Sequence, residues 1–178
     1  MFLKKIAIVG PESTGKSALA QSLAAHYKTE WVPEVAREFL EKLNRKYTAA
    51  DIEEIARLQL EMEDVRARSA NGILFCDTTL LVIKIWMENA FGKCPDWILT
   101  SIKSRKYDLY LLMDIDLVWQ PDPLREHPDK RQFFKDWYYR ELDEIGANWG
   151  WVNGLGEDRL TNATRILNGR LLVNPAKD

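Results

Sequence analysis

Near its amino end the chain reads Gly10-Pro11-Glu12-Ser13-Thr14-Gly15-Lys16-Ser17, which matches the pattern G-x-x-x-x-G-K-[ST] in full. The unbroken apolar run at residues 6–9 precedes it, as in a parallel strand that is covered on both faces. Residues 16–27 follow it and have the apolar spacing of a helix. Strand, glycine-rich loop and helix therefore come in the order of a phosphate-binding loop.

The two glycines of this loop allow the chain to curl, so that successive backbone N–H groups face a bound phosphate at the positive end of the helix. Because Pro11 has no N–H group, the donors must come from about residues 13–18. We expect Lys16 to contact the β and γ phosphates and the Ser17 hydroxyl to bind the Mg²⁺ that bridges them. Glu12 would repel phosphates, so it should point outward, toward a second substrate or a water. The residues predicted to bind the nucleotide here are Gly10, Ser13, Thr14, Gly15, Lys16, Ser17 and Ala18.

Length and charge restrict the class of protein. A chain of 178 residues has the length of one domain, so residues 1–178 are expected to form a single unit. Its 25 basic and 27 acidic residues give a net charge of -2, and no run of Lys or Arg suggests a nucleic-acid-binding arm. Cys76 and Cys94 fit neither a metal-binding pattern nor a disulfide framework. We therefore expect no nucleic-acid partner and a reducing environment.

Targeting signals are also missing from the pattern. The residues before Gly10 reach the phosphate loop too soon for a signal peptide. The apolar run at residues 79–91 is interrupted by Lys84 and Glu88 and does not reach the length of a membrane span. These features predict a cytoplasmic protein that does not bind a membrane.

Short apolar runs alternate with helical segments along the rest of the chain. This alternation predicts an α/β fold of the P-loop NTPase class, a single domain with a five-stranded parallel sheet and helices on both faces. Parallel strands end at a common rim, so the loops that follow them should converge there. The predicted strands are residues 6–9, 30–32, 73–77, 108–114 and 149–153, and the rim loops are residues 10–16, 33–37, 77–79 and 114–119.

The longest predicted helix covers residues 48–70. Thr48, with Asp51 three residues later, resembles a capping box at its start. An apolar stripe at helical spacing is predicted to be its buried face, and we interpret the helix as scaffold. The stripe consists of Ile52, Ile55, Leu58, Met62 and Val65.

A proline-rich segment at residues 119–131 follows the fourth predicted strand. Its composition predicts exposed and mobile chain. Arg125 and Arg131 within it could close over bound phosphates as a lid. An ordinary solvated loop has the same composition, so both interpretations stay open.

The rim would hold the other groups that phosphoryl transfer needs. Ser17 and Asp77 are the candidate metal ligands, although Asp77 could instead cap the helix that follows it. Glu34 and Asp77 are alternatives for orienting the acceptor hydroxyl, and Glu34 could equally be a favourable acid in the first turn of a helix. Asp114 and Asp116 could hold ribose hydroxyls or simply end a strand. The candidate catalytic residues are Lys16, Glu34, Asp77, Arg125 and Arg131.

These features favour one class of phosphate-loop protein. A guanine-specific N-K-x-D motif is absent from the sequence, which disfavours a GTPase switch, and a remodelling ATPase would need a longer chain. The predicted lid and rim suit a small-molecule kinase better. A nucleotide-binding regulatory module without a small-molecule acceptor is the alternative from another class.

Several motifs together resemble one known family, the ribosylnicotinamide kinase domain of the bifunctional bacterial NAD-biosynthesis regulator. They are the phosphate loop, V-P-E-V-A-R-E at residues 32–38, F-C-D-T-T-L-L-V-I-K-I-W at residues 75–86, the D-L-Y-L-L-M-D-I-D-L-V-W segment from residue 108 and a late G-x-G-E-D-R-L. The resemblance covers almost the whole chain in the correct order. In that family further domains precede the kinase, and with a phosphate loop that starts at Gly10 we expect only the kinase step here.

The resemblance implies an ATP- and Mg²⁺-dependent kinase that phosphorylates the 5′-hydroxyl of nicotinamide riboside to give nicotinamide mononucleotide. It implies that Arg125 and Arg131 belong to the lid and that Arg159 lies near the nucleotide base. An aromatic wall would suit the cationic pyridinium ring. A deoxynucleoside or another small metabolite is the alternative acceptor. The residues assigned to the acceptor are Glu34, Arg37, Asp77, Trp86, Asp116 and Trp119.

Overall fold

The computed structural model describes residues 3–171, so Met1, Phe2 and the tail from residue 172, which the predicted domain 1–178 includes, lie outside the described residues. One sheet of five strands forms the centre, and all of its pairings are parallel, in the order β2-β3-β1-β4-β5. The strands are β1 Lys4–Val9, β2 Trp31–Val32, β3 Ile73–Asp77, β4 Leu109–Met113 and β5 Trp149–Val152. The predicted fold class, an α/β protein of the P-loop NTPase class, is confirmed.

Seven α-helices and one short 3₁₀ turn connect these strands within the described residues. The predicted lid segment lies between β4 and α6 and includes the 3₁₀ turn at Pro128–Lys130. The helices are α1 Lys16–Tyr27, α2 Val35–Glu41, α3 Ala49–Ser69, α4 Leu80–Phe91, α5 Asp96–Ser104, α6 Arg131–Glu144 and α7 Glu157–Leu171.

The alternating side chains of β1 build a core on each face of the sheet. Ile6 and Ile8, both fully buried, pack on one face with apolar side chains of α1 and α7. Ala7 and Val9 pack on the other face with α4 and α6. Because β1 is central and covered on both sides, its sequence is continuously apolar rather than alternating.

Helix α3 begins as predicted but buries a different face. The Thr48 side chain accepts a hydrogen bond from the Asp51 N–H and the Asp51 carboxylate accepts one from the Thr48 N–H, which confirms the capping box. The predicted stripe is only partly right, because Val65 is 56% exposed, whereas Gln59 and Glu63 are buried. These two polar side chains tolerate burial because other parts of the chain satisfy their hydrogen bonds.

The sheet order determines which rim loops are neighbours. The loops after β2 and β3 lie on one side of the phosphate loop, which follows β1, and the loops after β4 and β5 lie on the other side. The residues that immediately follow β4 therefore lie across the phosphate loop from the loops after β2 and β3. None of the helices within residues 3–171 has both the length and the apolar character that crossing a membrane requires.

Candidate nucleotide and acceptor site

The phosphate loop adopts backbone conformations that its glycines permit. Gly10 has φ 141° and Gly15 has φ 77°, and Ser13 is also left-handed with φ 56°. A Cβ atom on Gly10 would lie 3.1 Å from the Met113 Cβ, and one on Gly15 would lie 3.0 Å from a methyl group of Leu117. Both positions therefore require glycine for conformation as well as for space.

Helix α1 begins at Lys16, with Gly15 as its N-cap, and no side chain of residues 3–171 caps it. The first N–H groups of a helix have no partner within the helix, so an uncapped start can bind an anion. Lys16 Nζ donates to the Pro11 carbonyl at 2.8 Å, and the buried Thr14 hydroxyl donates to the same oxygen at 2.8 Å. The lysine ammonium thus lies against the loop into which a phosphate would fit.

The buried carboxylate of Asp77, at the end of β3, is bonded to the exposed Ser17. The Ser17 hydroxyl donates to Asp77 Oδ2 at 2.5 Å, and Asp77 is fully buried. Its other oxygen, Oδ1, is also buried and has no hydrogen-bond partner among residues 3–171. A hydroxyl beside an unsatisfied carboxylate oxygen is a donor set that suits Mg²⁺, which takes one or two protein oxygens together with phosphates and waters.

The pKa of Asp77 is raised to about 6, first by burial and second by the neighbouring Glu34 carboxylate, while Lys16, Ser17 and Arg37 oppose the shift. The following helix does not need this carboxylate, because the Thr79 hydroxyl accepts from the Leu81 N–H and caps α4. Asp77 is therefore not the cap of α4, which was the alternative to its role as a metal ligand.

Glu34 is the N-cap residue of α2, but its carboxylate makes no capping bond within the described part of the chain. The Val35 N–H is bonded at 2.9 Å to the side-chain oxygen of Gln59 on α3 instead. Arg37, one turn along α2, lies with its guanidinium 3.1 Å from Asp122 of the predicted lid. The Glu34 carboxylate therefore makes no capping bond to its own helix and lies close enough to Asp77 to raise the pKa of Asp77.

The predicted lid, residues 119–131, rests on the phosphate loop. The Ser13 hydroxyl accepts the Gln120 N–H at 2.9 Å, and Arg125 donates to the same hydroxyl at 3.5 Å. Arg131 donates to the Ser13 carbonyl at 3.3 Å. The guanidinium groups of Arg125 and Arg131 lie 6.0 and 5.9 Å from the ring centre of Trp119. The structure thus brings both lid arginines and Trp119 to the predicted phosphate site.

Glu12 turns away from the loop as expected, but its partner is the lid. Its carboxylate accepts the Glu126 N–H at 3.2 Å and the His127 N–H at 3.1 Å. The Tyr47 hydroxyl donates to the Glu126 carboxylate at 2.8 Å, and Asn89 lies 3.2 Å from the His127 ring nitrogen. The lid is therefore tied to the phosphate loop and to the α2, α3 and α4 side of the site.

The two tryptophans assigned to an aromatic wall lie in different surroundings. Trp86, on α4, meets the edge of Tyr47 at a centroid distance of 5.0 Å. Trp119 lies beside the lid arginines, and within residues 3–171 no ring contact joins it to Trp86. The two rings do not form one stacked wall, and the aromatic neighbour of Trp86 is Tyr47.

The sequence suggested that Asp116 contacts the acceptor together with Glu34 and Asp77. In the structure Asp116 follows β4 and lies on the opposite side of the phosphate loop from those two residues. It pairs with Arg159, a buried side chain that also donates to the Thr14 carbonyl and, at 2.8 Å, to the Gly154 carbonyl. Its second oxygen accepts the Gly154 N–H at 2.6 Å. The reason is topological, because β4 is separated from β3 by β1. The structure therefore groups Asp116 with Arg159 and not with Glu34 and Asp77.

Sequence reasoning missed two residues of this region, Gln59 and Tyr47. Gln59 could have been noticed as a polar side chain four residues after Ile55, on the same helical face. Tyr47 carries no comparable signal, because it lies in a turn before α3 and its partners Trp86 and Glu126 are far away in sequence.

A family model described as an AAA domain matches residues 5–159. The trifunctional NAD biosynthesis/regulator protein NadR of Escherichia coli (strain K12) is 26% identical over 141 residues, which cover 74% of this chain and 34% of that protein. A crystal structure of NadR in complex with NR superposes with a TM-score of 0.84 at 22% identity, over 99% of this chain and 54% of that one. A thymidylate kinase from Ehrlichia chaffeensis superposes with a TM-score of 0.64 at 12% identity, over 95% of this chain and 99% of that one.

The chain thus spans about a third to a half of the length of the NadR proteins that it matches. The resemblance that the sequence motifs indicated is confirmed, since relatives and solved structures both include NadR. The structural likenesses, at less than a quarter identity, concern the fold. With 155 of its 178 residues matched, the chain belongs to the AAA-domain family of phosphate-loop proteins.

Proposed function

We propose that this protein is an ATP-dependent kinase that phosphorylates the 5′-hydroxyl of nicotinamide riboside. The observation that carries the proposal is the arrangement of Ser17, Asp77 and Glu34. A buried carboxylate is bonded to the phosphate-loop serine at 2.5 Å, and a second carboxylate acts on it from the neighbouring strand end. Phosphoryl transfer to a hydroxyl needs a metal-binding pair of this kind beside a group that accepts the proton of the hydroxyl.

The nucleotide would bind at the loop. The uncapped start of α1 offers N–H groups to the phosphates, and Lys16 exchanges the Pro11 carbonyl for phosphate oxygens. Ser17 and Asp77 would hold the magnesium ion. When bound, this ion offsets the negative charge of the β and γ phosphates.

Glu34 is our candidate for the residue that accepts the proton. The acceptor oxygen attacks the γ phosphorus, the bond to the β–γ bridging oxygen breaks, ADP leaves, and the hydroxyl proton passes to the Glu34 carboxylate. Asp77 is less suited to this role because its Oδ2 is bonded to Ser17 and its Oδ1 is buried beside it. Within the described residues the Glu34 carboxylate makes no capping bond to α2, and Gln59 holds the Val35 N–H beside it.

The acceptor would lie between α2, α4 and the lid. Trp86 and its neighbour Tyr47 present aromatic rings in this region, and a ring face attracts a flat cation such as nicotinamide riboside by about 0.5 to 2 kcal/mol. Arg125 and Arg131 both contact Ser13 of the phosphate loop and would turn toward the γ phosphate of a bound nucleotide. The similarity to NadR, whose structure was solved with NR, supports this choice of acceptor.

The test is ADP release by the purified protein with ATP and Mg²⁺, with and without nicotinamide riboside, while mass spectrometry looks for a product one phosphate heavier. The same assay with deoxyadenosine, deoxycytidine and thymidine tests the alternative acceptors. Lys16→Ala is the control and should reduce turnover by about 10² or more. Acceptor-independent hydrolysis with no phosphorylated product would reject the kinase and favour a regulatory ATPase. A deoxynucleoside preferred over nicotinamide riboside would reject the substrate only.

A further inference from the structure

Gln59 is a buried polar residue that joins the two carboxylate-bearing loops. It lies on α3 and is 2% exposed. Its Oε1 accepts the Val35 N–H at 2.9 Å, and its Nε2 lies 3.2 Å from the Pro33 carbonyl and 3.4 Å from each of the carbonyls of Asp77 and Thr78. One side-chain amide thus contacts backbone on both sides of Glu34 and at Asp77 itself.

The contact with Val35 occupies the first N–H group of α2. The side chain of an N-cap residue bonds the N–H of the second or third helical residue, and Glu34 makes no such bond within residues 3–171. Gln59 satisfies the Val35 N–H from another helix. The Glu34 carboxylate is therefore not engaged by α2, while Gln59 holds the backbone beside it.

The contact with the β3 loop occurs where the backbone is strained. Thr78 has φ 72°, which is an outlier for a β-branched residue, and such conformations persist only where the surroundings enforce them. Two carboxylates on adjacent strand ends also repel each other, which favours separation of their loops. The Gln59 amide opposes both tendencies through hydrogen bonds on each side.

We propose that Gln59 is a positioning residue that sets the separation between the Glu34 loop and the Asp77 loop, and so aligns the acceptor hydroxyl with the phosphate bound beside Ser17. The alignment rests on the kinase function proposed above, whereas the tie between the loops does not. Because a misplacement of about 1 Å can cost on the order of 10² in rate, a hydrogen-bonded spacer of this kind would act on turnover rather than on nucleotide binding.

The test compares Gln59→Met, which keeps the length of the side chain but removes both hydrogen-bonding groups, with Ile55→Val as a matched control. Ile55 lies one turn earlier on α3, is fully buried, belongs to the apolar cluster that includes Ile83 and Met87, and has no side-chain hydrogen-bonding group that could tie the two loops. We expect Gln59→Met to lower kcat about 30-fold to 100-fold while KM for ATP stays within about threefold. We expect Ile55→Val to lower the melting temperature without changing kcat. A kcat within threefold of the wild type for Gln59→Met, or an equal loss in Ile55→Val, would overturn the proposal.

A second measurement does not depend on enzymatic activity. Crystal structures and amide hydrogen exchange of the nucleotide-free protein should show a wider separation between the Glu34 and Asp77 carboxylates and faster exchange at Val35 in Gln59→Met than in Ile55→Val. If the wild-type protein phosphorylates no acceptor, the kinase proposal fails, and these data still decide whether Gln59 ties the loops. An unchanged separation together with unchanged exchange at Val35 would refute the tie.

Discussion

Replacing Asp77 with asparagine should stabilise the ligand-free protein and abolish its activity. The carboxyl group is fully buried beside Ser17, and its pKa is raised to about 6 by burial first and by Glu34 second. Asparagine has the same shape and retains an oxygen that can accept the Ser17 hydroxyl, but it carries no charge. The substitution therefore removes the cost of ionisation with little change in packing.

The magnitude follows from the difference between the two pKa values. One pH unit corresponds to about 1.4 kcal/mol, so an aspartate with a native pKa of about 6 instead of 3.8 costs the native state about 3 kcal/mol when it is ionised. Between these values the native state binds more protons than the unfolded state, so this contribution to stability falls as the pH rises. The wild type and Asp77→Asn should thus be similarly stable below pH 4, and the variant should be more stable by about 3 kcal/mol above pH 7.

The assay is urea unfolding of both proteins at intervals from pH 4 to pH 8, without Mg²⁺ or nucleotide. Only the difference between the two unfolding free energies is interpreted, because titrating groups that do not interact with Asp77 contribute equally to both proteins. A difference that stays constant across this range, or that favours the wild type at pH 8, would refute the view that Asp77 is a costly buried charge. Turnover of Asp77→Asn should fall by at least about 10², because a metal ligand is lost.

Three further changes test the phosphate loop and the lid. Gly10→Ala should lower the unfolding free energy by at least about 2 kcal/mol, because its Cβ would meet Met113 at 3.1 Å. Gly92 also has a positive φ but faces open space, so Gly92→Ala should lower the unfolding free energy by only about 1 kcal/mol. Urea unfolding compares the two variants. Glu12→Gln replaces a charged acceptor by a neutral one and should weaken its bonds to the lid, so limited proteolysis between residues 119 and 131 should become faster, and an unchanged cleavage rate would contradict this role. Arg131→Ala should lower kcat at least tenfold with little change in nucleotide affinity, measured by titration with a non-hydrolysable ATP analogue, and equal losses in both quantities would show that Arg131 only binds the nucleotide.

The elements that the sequence predicted correctly are those specified by local pattern. The phosphate loop, the apolar run of β1 and the capping box at Thr48 depend on residues within a few positions of one another. The acid at the end of β3 was found for a related reason, since a buried parallel strand that finishes on Asp77 carries that carboxylate to the rim where ligands bind. Local chemistry was thus sufficient for the fold class and for the position of the acid at the end of β3.

The buried face of α3 could not be predicted in the same way. The apolar stripe predicted that Val65 is buried, but Val65 is 56% exposed. The stripe did not include Glu63, which is only 1% exposed. Glu63 is buried because Lys5 Nζ at 2.8 Å and the Tyr107 hydroxyl at 2.5 Å satisfy its carboxylate. Both partners lie more than forty residues away, so no window along the chain contains the reason for this burial.

The neighbours of Asp116 could not be predicted for a different reason, which is the order of the strands. The sequence indicates that five strands share a rim but not which strands are adjacent. With β1 between β3 and β4, an acid that follows β4 meets Arg159 on α7 instead of the acceptor side. The partner of Glu12 was missed similarly, because the lid that supplies it is more than a hundred residues away.

The two sets of contacts around the phosphate loop differ in how easily a ligand could displace them. The lid is held to Glu12 and Ser13 by hydrogen bonds that are partly exposed, each worth about 0.5 to 1.5 kcal/mol net. Nucleotide binding at micromolar affinity supplies about 8 kcal/mol, so phosphates that recruit Arg125 and Arg131 can outcompete these bonds. The Arg159 guanidinium is buried and bonded to a carboxylate and to two backbone carbonyls, so releasing it would leave several buried groups unsatisfied. A ligand would therefore move the lid while the Arg159 side of the loop stays fixed. The site would thus have one rigid side, at Arg159, and one side that closes, at the lid.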